Sequence, residues 1–148
     1  MSGKIRYAFA FLLGALFVYA GITKVLDPVR FFTDIQNYGI IPWRAVTVAF
    51  AFYLPWLEII SGMAVVVRPL RAGALAIMVV MLLIFTVALG QAWARGLDIS
   101  CGCFGGTSDH PHYLLWLGRD LGLLIAALML AISEWISEQI HLHATSTT

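Results

Sequence analysis

Charge is what this chain has least of. Only 11% of its 148 residues are Asp, Glu, Lys or Arg, where a soluble domain carries about 25%. That deficit excludes a disordered chain, and a formal net charge of +1 excludes a basic nucleic-acid binder. With 61% hydrophobic residues, most of the apolar surface has no protein interior to enter, which speaks against a water-soluble globule. Apolar-polar alternation of period two is missing, so a transmembrane barrel is not indicated. There is no internal repeat, and no low-complexity tract beyond the short tail at 144–148. Cysteine is nearly absent as well, with two in the whole chain.

Apolar length is abundant. Four runs, at residues 5–26, 45–67, 72–94 and 113–136, each supply the roughly 20 mainly apolar residues needed to cross a hydrocarbon core of about 30 Å. Lipid offers the backbone no hydrogen-bond partner, so these runs are read as helices. The first lacks the small-residue cleavage site of a signal peptide and is kept as a span. The expected fold is all-α: a single polytopic membrane domain over residues 1–148, built as a four-transmembrane-helix bundle. An even number of spans returns both termini to one side. Lys4, Arg6, Arg68 and Arg71 lie on that side and Lys24, Arg30, Arg44 and Arg95 on the other, so a count alone does not orient the chain. The tight Arg68-Pro69-Leu70-Arg71 turn, without an acid, tilts the termini toward the cytoplasm.

The connections differ in character. Asp27-Pro28 stops the first span, because proline lacks a donor and disfavours helix at the residue before it. Phe31, Phe32, Ile35 and Tyr38 then recur at helical spacing, which predicts a short amphipathic helix lying in the interface between the first two spans. The only long polar segment, 95–112, joins the third and fourth spans.

That segment reads Ser100-Cys101-Gly102-Cys103-Phe104-Gly105-Gly106 and holds both cysteines. Scattered cysteines in a membrane protein are usually inert small hydrophobes. A Cys-Gly-Cys in a glycine-rich loop differs, since glycine lets the chain curl until the α-carbons approach the about 4.4–6.8 Å a disulfide needs. So small a ring is strained and exchanges readily, and it removes little loop-closure entropy. Redox or metal chemistry therefore outweighs a structural role.

Ionised side chains near the bilayer centre cost about 2.5–3.5 kcal/mol even on the lenient insertion scale, and by default they mark function. Glu58 sits near the middle of the second span, Lys24 ends the first, Arg95 ends the third, and Arg119 with Asp120 opens the fourth. Connectivity puts these groups in the half of the membrane nearest the cysteines, and the other half has only Glu134 near its boundary. A polar pocket beneath the cysteine loop is expected. Lys24, Arg95 and Arg119 are the candidates for lowering a cysteine pKa. The bland alternatives are that Lys24 snorkels and pairs with Asp27, that Arg95 anchors at the interface, and that Arg119 pairs with Glu58 or Asp120 to hold helices together. Arg119 and Asp120, about 100° apart on a helix, are not expected to cover one another.

Gly118, Gly122 and Ala126 form a small-residue stripe that predicts a helix contact, as do Gly14, Gly21 and Gly62. Trp43, Trp93, Trp116 and Trp135 fall near span ends, as interface anchors do. Tyr53 and Trp56 are candidates to line a quinone or substrate pocket near Glu58, with packing the simpler reading. Cys101, Cys103, His110 and His112 make a Cys-x-Cys-x6-His-x-His pattern, a rival metal site for a soft ion such as copper, zinc or mercury, though its spacing departs from ordinary zinc modules.

Taken in order, these segments resemble the methylamine utilisation MauE branch of the DoxX-like membrane proteins. The resemblance runs through Gly14 to Asp27 with its Gly-x-x-Lys, Phe32 to Pro42, and Leu54 to Gly62 as Leu-Pro-x-x-Glu-x-x-x-Gly. It continues through Phe85 to Phe104 with Arg-Gly and Cys-Gly-Cys-Phe, and ends at Arg119-Asp120. Ser100 departs from the pattern, where many relatives carry an acid, and the His-Pro-His is not a family feature. The resemblance implies a bacterial inner-membrane protein of four helices with the Cys-Gly-Cys loop on the periplasmic side. It also implies a thiol–disulfide oxidoreductase whose electrons pass to or from a thioredoxin-like periplasmic partner, supporting maturation of a disulfide-rich exported protein. Cys101 and Cys103 would cycle between dithiol and disulfide, and a quinone near Glu58 and Arg119 is a candidate electron carrier. Membrane lipid is the other expected partner. The remaining alternative is a non-catalytic assembly subunit.

Overall fold

The computed structural model describes residues 3–39, 42–95 and 113–146. All the regular structure in them is helical. Helix α1 covers Gly3–Leu26, α2 Pro28–Asn37, α3 Arg44–Ala64, α4 Arg71–Ala94 and α5 Tyr113–Ser146, with a single 3₁₀ turn at Arg68–Leu70 before α4. Three segments among the described residues are long and apolar enough to cross a membrane: Gly3–Leu26, Arg44–Ala64 and Arg68–Ala94. The fourth expected run falls within α5, which continues ten residues past the boundary at 136. The segment with Cys101, Cys103, His110 and His112 lies outside the described residues.

Local chemistry explains where α2 begins and ends. Asp27 caps it, its side chain accepting from the Arg30 amide at 3.1 Å, and Pro28 occupies the first turn, where a missing donor costs nothing. At the other end Gly39 takes a left-handed φ of 61° while its amide donates to the Gln36 carbonyl at 2.9 Å. Pro55 stands inside α3 without ending it, as proline in membrane helices is tolerated when neighbours cover the freed backbone.

The helices pack as two close pairs, α1 with α3 and α4 with α5, and α2 lies against α3. The α1–α3 contact is made backbone to backbone. A β-carbon at Gly62 would lie 2.8 Å from the Gly14 carbonyl oxygen, and one at Gly21 would lie 2.7 Å from the Pro55 carbonyl oxygen. Only glycine fits there, and the small-residue reading of Gly14, Gly21 and Gly62 holds. Gly118 and Gly122 behave otherwise: a β-carbon at either would touch nothing within 4 Å among the described residues, so these two glycines of the stripe make no close helix contact among them. Position on the apolar repeat did not reveal that this face of α5 points outward.

Between the pairs lies a core that includes Leu13, Phe17, Leu75, Met78, Leu82 and Leu130. Large apolar side chains also cover the outside, among them Phe11, Phe52, Tyr53 and Met129, an arrangement suited to a lipid solvent. Trp43 and Trp93 are exposed at helix ends, consistent with interface anchors, and Trp135 is exposed within α5.

Candidate functional site

One end of the bundle gathers a side chain from every helix. Lys24 of α1 and Glu58 of α3 are buried, and the ammonium donates to Glu58 Oε1 in an ion pair. Above and beside the ammonium lie the rings of Phe31 from α2, 5.2 Å to the centroid, and Phe85 from α4, at 4.8 Å. Both distances are within cation–π reach. Asp120 of α5 is also buried and faces the same small cavity. Lys24 therefore does not snorkel to Asp27. The Phe31 ring of α2 roofs the lysine over, and the acid it pairs with is Glu58.

The other predicted residues fall into distinct places. Asp120 Oδ1 accepts from Arg119 Nε at 3.2 Å and Nη2 at 3.0 Å. Contrary to the helical-wheel expectation, the flexible arginine bends back over its neighbour, keeping its own head about one third exposed. Arg95 donates to the Tyr38 carbonyl at 3.0 Å. It thus ties the end of α4 to the end of α2, where a cation complements the helix dipole. Tyr53 and Trp56 are both exposed and do not line the cavity, so neither belongs to a pocket near Glu58.

The cavity between Lys24, Glu58 and Asp120 measures about 30 Å³ and is otherwise walled by Leu16, Phe17, Leu82 and neighbouring apolar residues. That is room for about two water molecules. Glu58 Oε2 is buried with no hydrogen-bond partner among the described residues, so one oxygen of the carboxylate points into polar space that only water or a comparably small donor can share. Removing either charge of such a pair leaves the other stranded, at a cost of about 3–5 kcal/mol.

Polarity is not confined to this end. Arg71, buried at the start of α4, donates through Nη1 to Glu134 Oε1 at 2.9 Å and through Nε to the Val65 carbonyl at 2.9 Å. Its guanidinium also lies 4.7 Å from the Tyr7 ring centroid. The sequence reading had Arg71 as a loop cation and missed this clamp. Its signal was present in Glu134, an acid near a span end that needed a partner. The two clusters differ in role. Arg71 ties down the Val65 and Val66 carbonyls that follow α3, whereas among the described residues Lys24 and Glu58 pair with each other, the ammonium also facing Phe31 and Phe85.

Outside the spans, Asp34 on α2 is buried with Oδ2 lacking a partner among the described residues. Burial raises its pKa to about 6 from 3.8, against the pull of Arg30 and with a smaller push from Asp27.

Comparison with known proteins places this arrangement in context. The family described as methylamine utilisation protein MauE matches residues 2–133. Three curated proteins named methylamine utilization protein MauE are similar. The one from Paracoccus denitrificans is 32% identical over 87% of this chain and 68% of its own length. The one from Methylorubrum extorquens is 37% identical over 82% and 65%, and that from Methylophilus methylotrophus is 34% identical over 84% and 70%. The chain thus spans about two thirds of the length of these relatives. No solved structure matches it.

Proposed function

Because the chain belongs to the MauE family, we propose that it is an integral membrane thiol–disulfide protein serving methylamine utilisation through Cys101 and Cys103. In this reading α5 supplies a fourth crossing, α2 lies at the membrane surface, and the termini are cytoplasmic in a bacterial inner membrane. Exchange proceeds in two balanced steps with a thioredoxin-like periplasmic partner. One thiolate attacks the partner's disulfide, forming a mixed disulfide and releasing a partner thiolate. The neighbouring thiolate then attacks the mixed disulfide, so the Cys-Gly-Cys pair is oxidised by two electrons and the partner leaves as a dithiol. The reverse sequence runs the electrons the other way.

One observation carries the reading. Lys24, Glu58 and Asp120 converge inside the bundle, about two to three turns below where α4 finishes and α5 begins, the two helix ends being joined by the segment that contains both cysteines. Asp120 lies seven residues into α5, about 10 Å along the helix axis. Charge held at that depth, with Arg119 beside it, is suited to biasing thiol ionisation at the surface above.

The test is alkylation with mass tags before and after reduction, together with trapping in Cys101→Ser and Cys103→Ser variants. The expected result is a pair that protects itself from tagging under oxidising buffer, and a mixed disulfide in one single-cysteine variant. Two thiols that stay free in oxidising buffer, with no mixed disulfide in either variant, would refute it.

A further inference from the structure

A second concavity lies away from the charge cluster, between α2 and the first two turns of α3. Pro28, Val29 and Phe32 form one wall, Val48 and Phe52 the other, and Arg44 stands at the lip. Its volume is about 210 Å³, below the about 300–1,000 Å³ of drug-sized ligand sites, and it is open along one side. Val29, Val48 and Phe52 are exposed there, so the floor is an apolar trough rather than a closed chamber.

Arg44 is the feature that selects an occupant. Its guanidinium lies 5.9 Å from the Phe32 ring centroid, and it forms no ion pair with a carboxylate among the described residues. No acid is found among the residues lining the trough. The adjacent Trp43 is exposed as well, as expected of a side chain at headgroup depth. An apolar trough open along one side, with a cation at its mouth that has no carboxylate partner among the described residues, has the shape and charge of a lipid seat. A zwitterionic head brings its own ammonium to that mouth, whereas an anionic head leaves the charges matched.

We infer that this trough binds an anionic phospholipid, with an acyl chain between α2 and α3 and the phosphate on Arg44. The site rests on the placement of α2 at the membrane surface proposed above, and not on the thiol chemistry, so the mass-tag result and the lipid result stand or fall separately.

Trp43 provides the readout. The full chain is reconstituted in phosphatidylcholine vesicles containing an equal mole fraction of brominated phosphatidylglycerol or brominated phosphatidylcholine, and bromine quenching of Trp43 is taken as the difference between the protein and its Trp43→Phe variant. One basic side chain at an anionic surface corresponds to about a fivefold preference. Wild-type protein is expected to show it, and Arg44→Gln to lose it, with helical circular dichroism unchanged because Arg44 is exposed at the first position of α3. Equal quenching by the two lipids in the wild type overturns the inference, and so does a preference that survives in Arg44→Gln.

Discussion

Replacing the Lys24–Glu58 pair one member at a time, and then together, tests the central feature of the molecule. Both side chains are buried, the ammonium is held between two aromatic rings, and one carboxylate oxygen has no other protein donor among the described residues. Glu58→Leu strands a cation, and Lys24→Met strands an anion. Each is expected to destabilise by about 3–5 kcal/mol. Lys24→Met also forfeits the contacts with Phe31 and Phe85, about 0.5–2 kcal/mol each, so it is the worse of the two. The double variant Lys24→Met with Glu58→Leu restores neutrality with side chains of similar volume, and its stability is expected to return close to wild type. The resulting coupling exceeds the about 0.5–3 kcal/mol usual for residues in contact. Unfolding in mixed micelles, followed by circular dichroism as the denaturing detergent fraction rises, measures all four corners. If the double variant loses as much as the two single variants combined, the pair is not a mutually dependent buried unit. Growth on methylamine then separates fold from chemistry. A double variant that is stable but inactive assigns the charges a functional role, and a stable and active one makes them purely structural.

Three further expectations follow from other residues. Asp34 binds its proton more tightly in the folded chain than in the unfolded one, so α2 docking loses stability as pH rises from about 4 through about 6. The loss is at most about 3 kcal/mol. Hydrogen exchange of α2 amides at pH 5 and pH 7.5 measures it, and Asp34→Asn should flatten the difference. Gly62→Ala forces a β-carbon to within 2.8 Å of the Gly14 carbonyl oxygen and should cost about 1–3 kcal/mol. Gly118→Ala, with open space around it, should be neutral or gain up to about 1 kcal/mol from helix propensity; equal effects in thermal unfolding would contradict the packing described. Arg71→Met removes three charge-assisted bonds, to the Val65 and Val66 carbonyls after α3 and to Glu134 of α5, and should cost at least the about 1.5–3 kcal/mol of one such bond. Glu134→Gln should cost less, since Glu134 is partly exposed.

Much of the site was legible before any coordinate was known. Lys24, Glu58 and Asp120 stood out because a charge inside an apolar run needs a partner, and the family resemblance rested on the same residues. Which charge met which was not legible. Lys24 has an acid three residues away in Asp27, and helical spacing makes that pairing natural, yet the lysine turns inward to α3. Arg119 and Asp120 point in different directions on an ideal helix, but a side chain as long as arginine reaches around the backbone. Arg71 looked like a loop cation because its acid partner, Glu134, lies 63 residues along the chain on α5, although the Val65 and Val66 carbonyls that it also meets are close by in sequence.

Hydropathy and helix-breaking residues were enough, by themselves, to determine that this is an all-helical chain suited to lipid, with α2 set off by Asp27-Pro28 and Gly39. These are local properties, fixed by transfer of apolar groups from water and by backbone conformations available to single residues. Only the tertiary structure decided that α1 and α3 touch through glycine, that Gly118 and Gly122 of α5 are exposed while Ala127 is buried, and that Lys24 closes on Glu58 under a roof of Phe31. Such choices depend on the rotation of each helix about its own axis. Where lipid is as apolar as the core, hydrophobicity exerts almost no torque on that rotation, and close backbone contact and the pairing of buried charge set it instead.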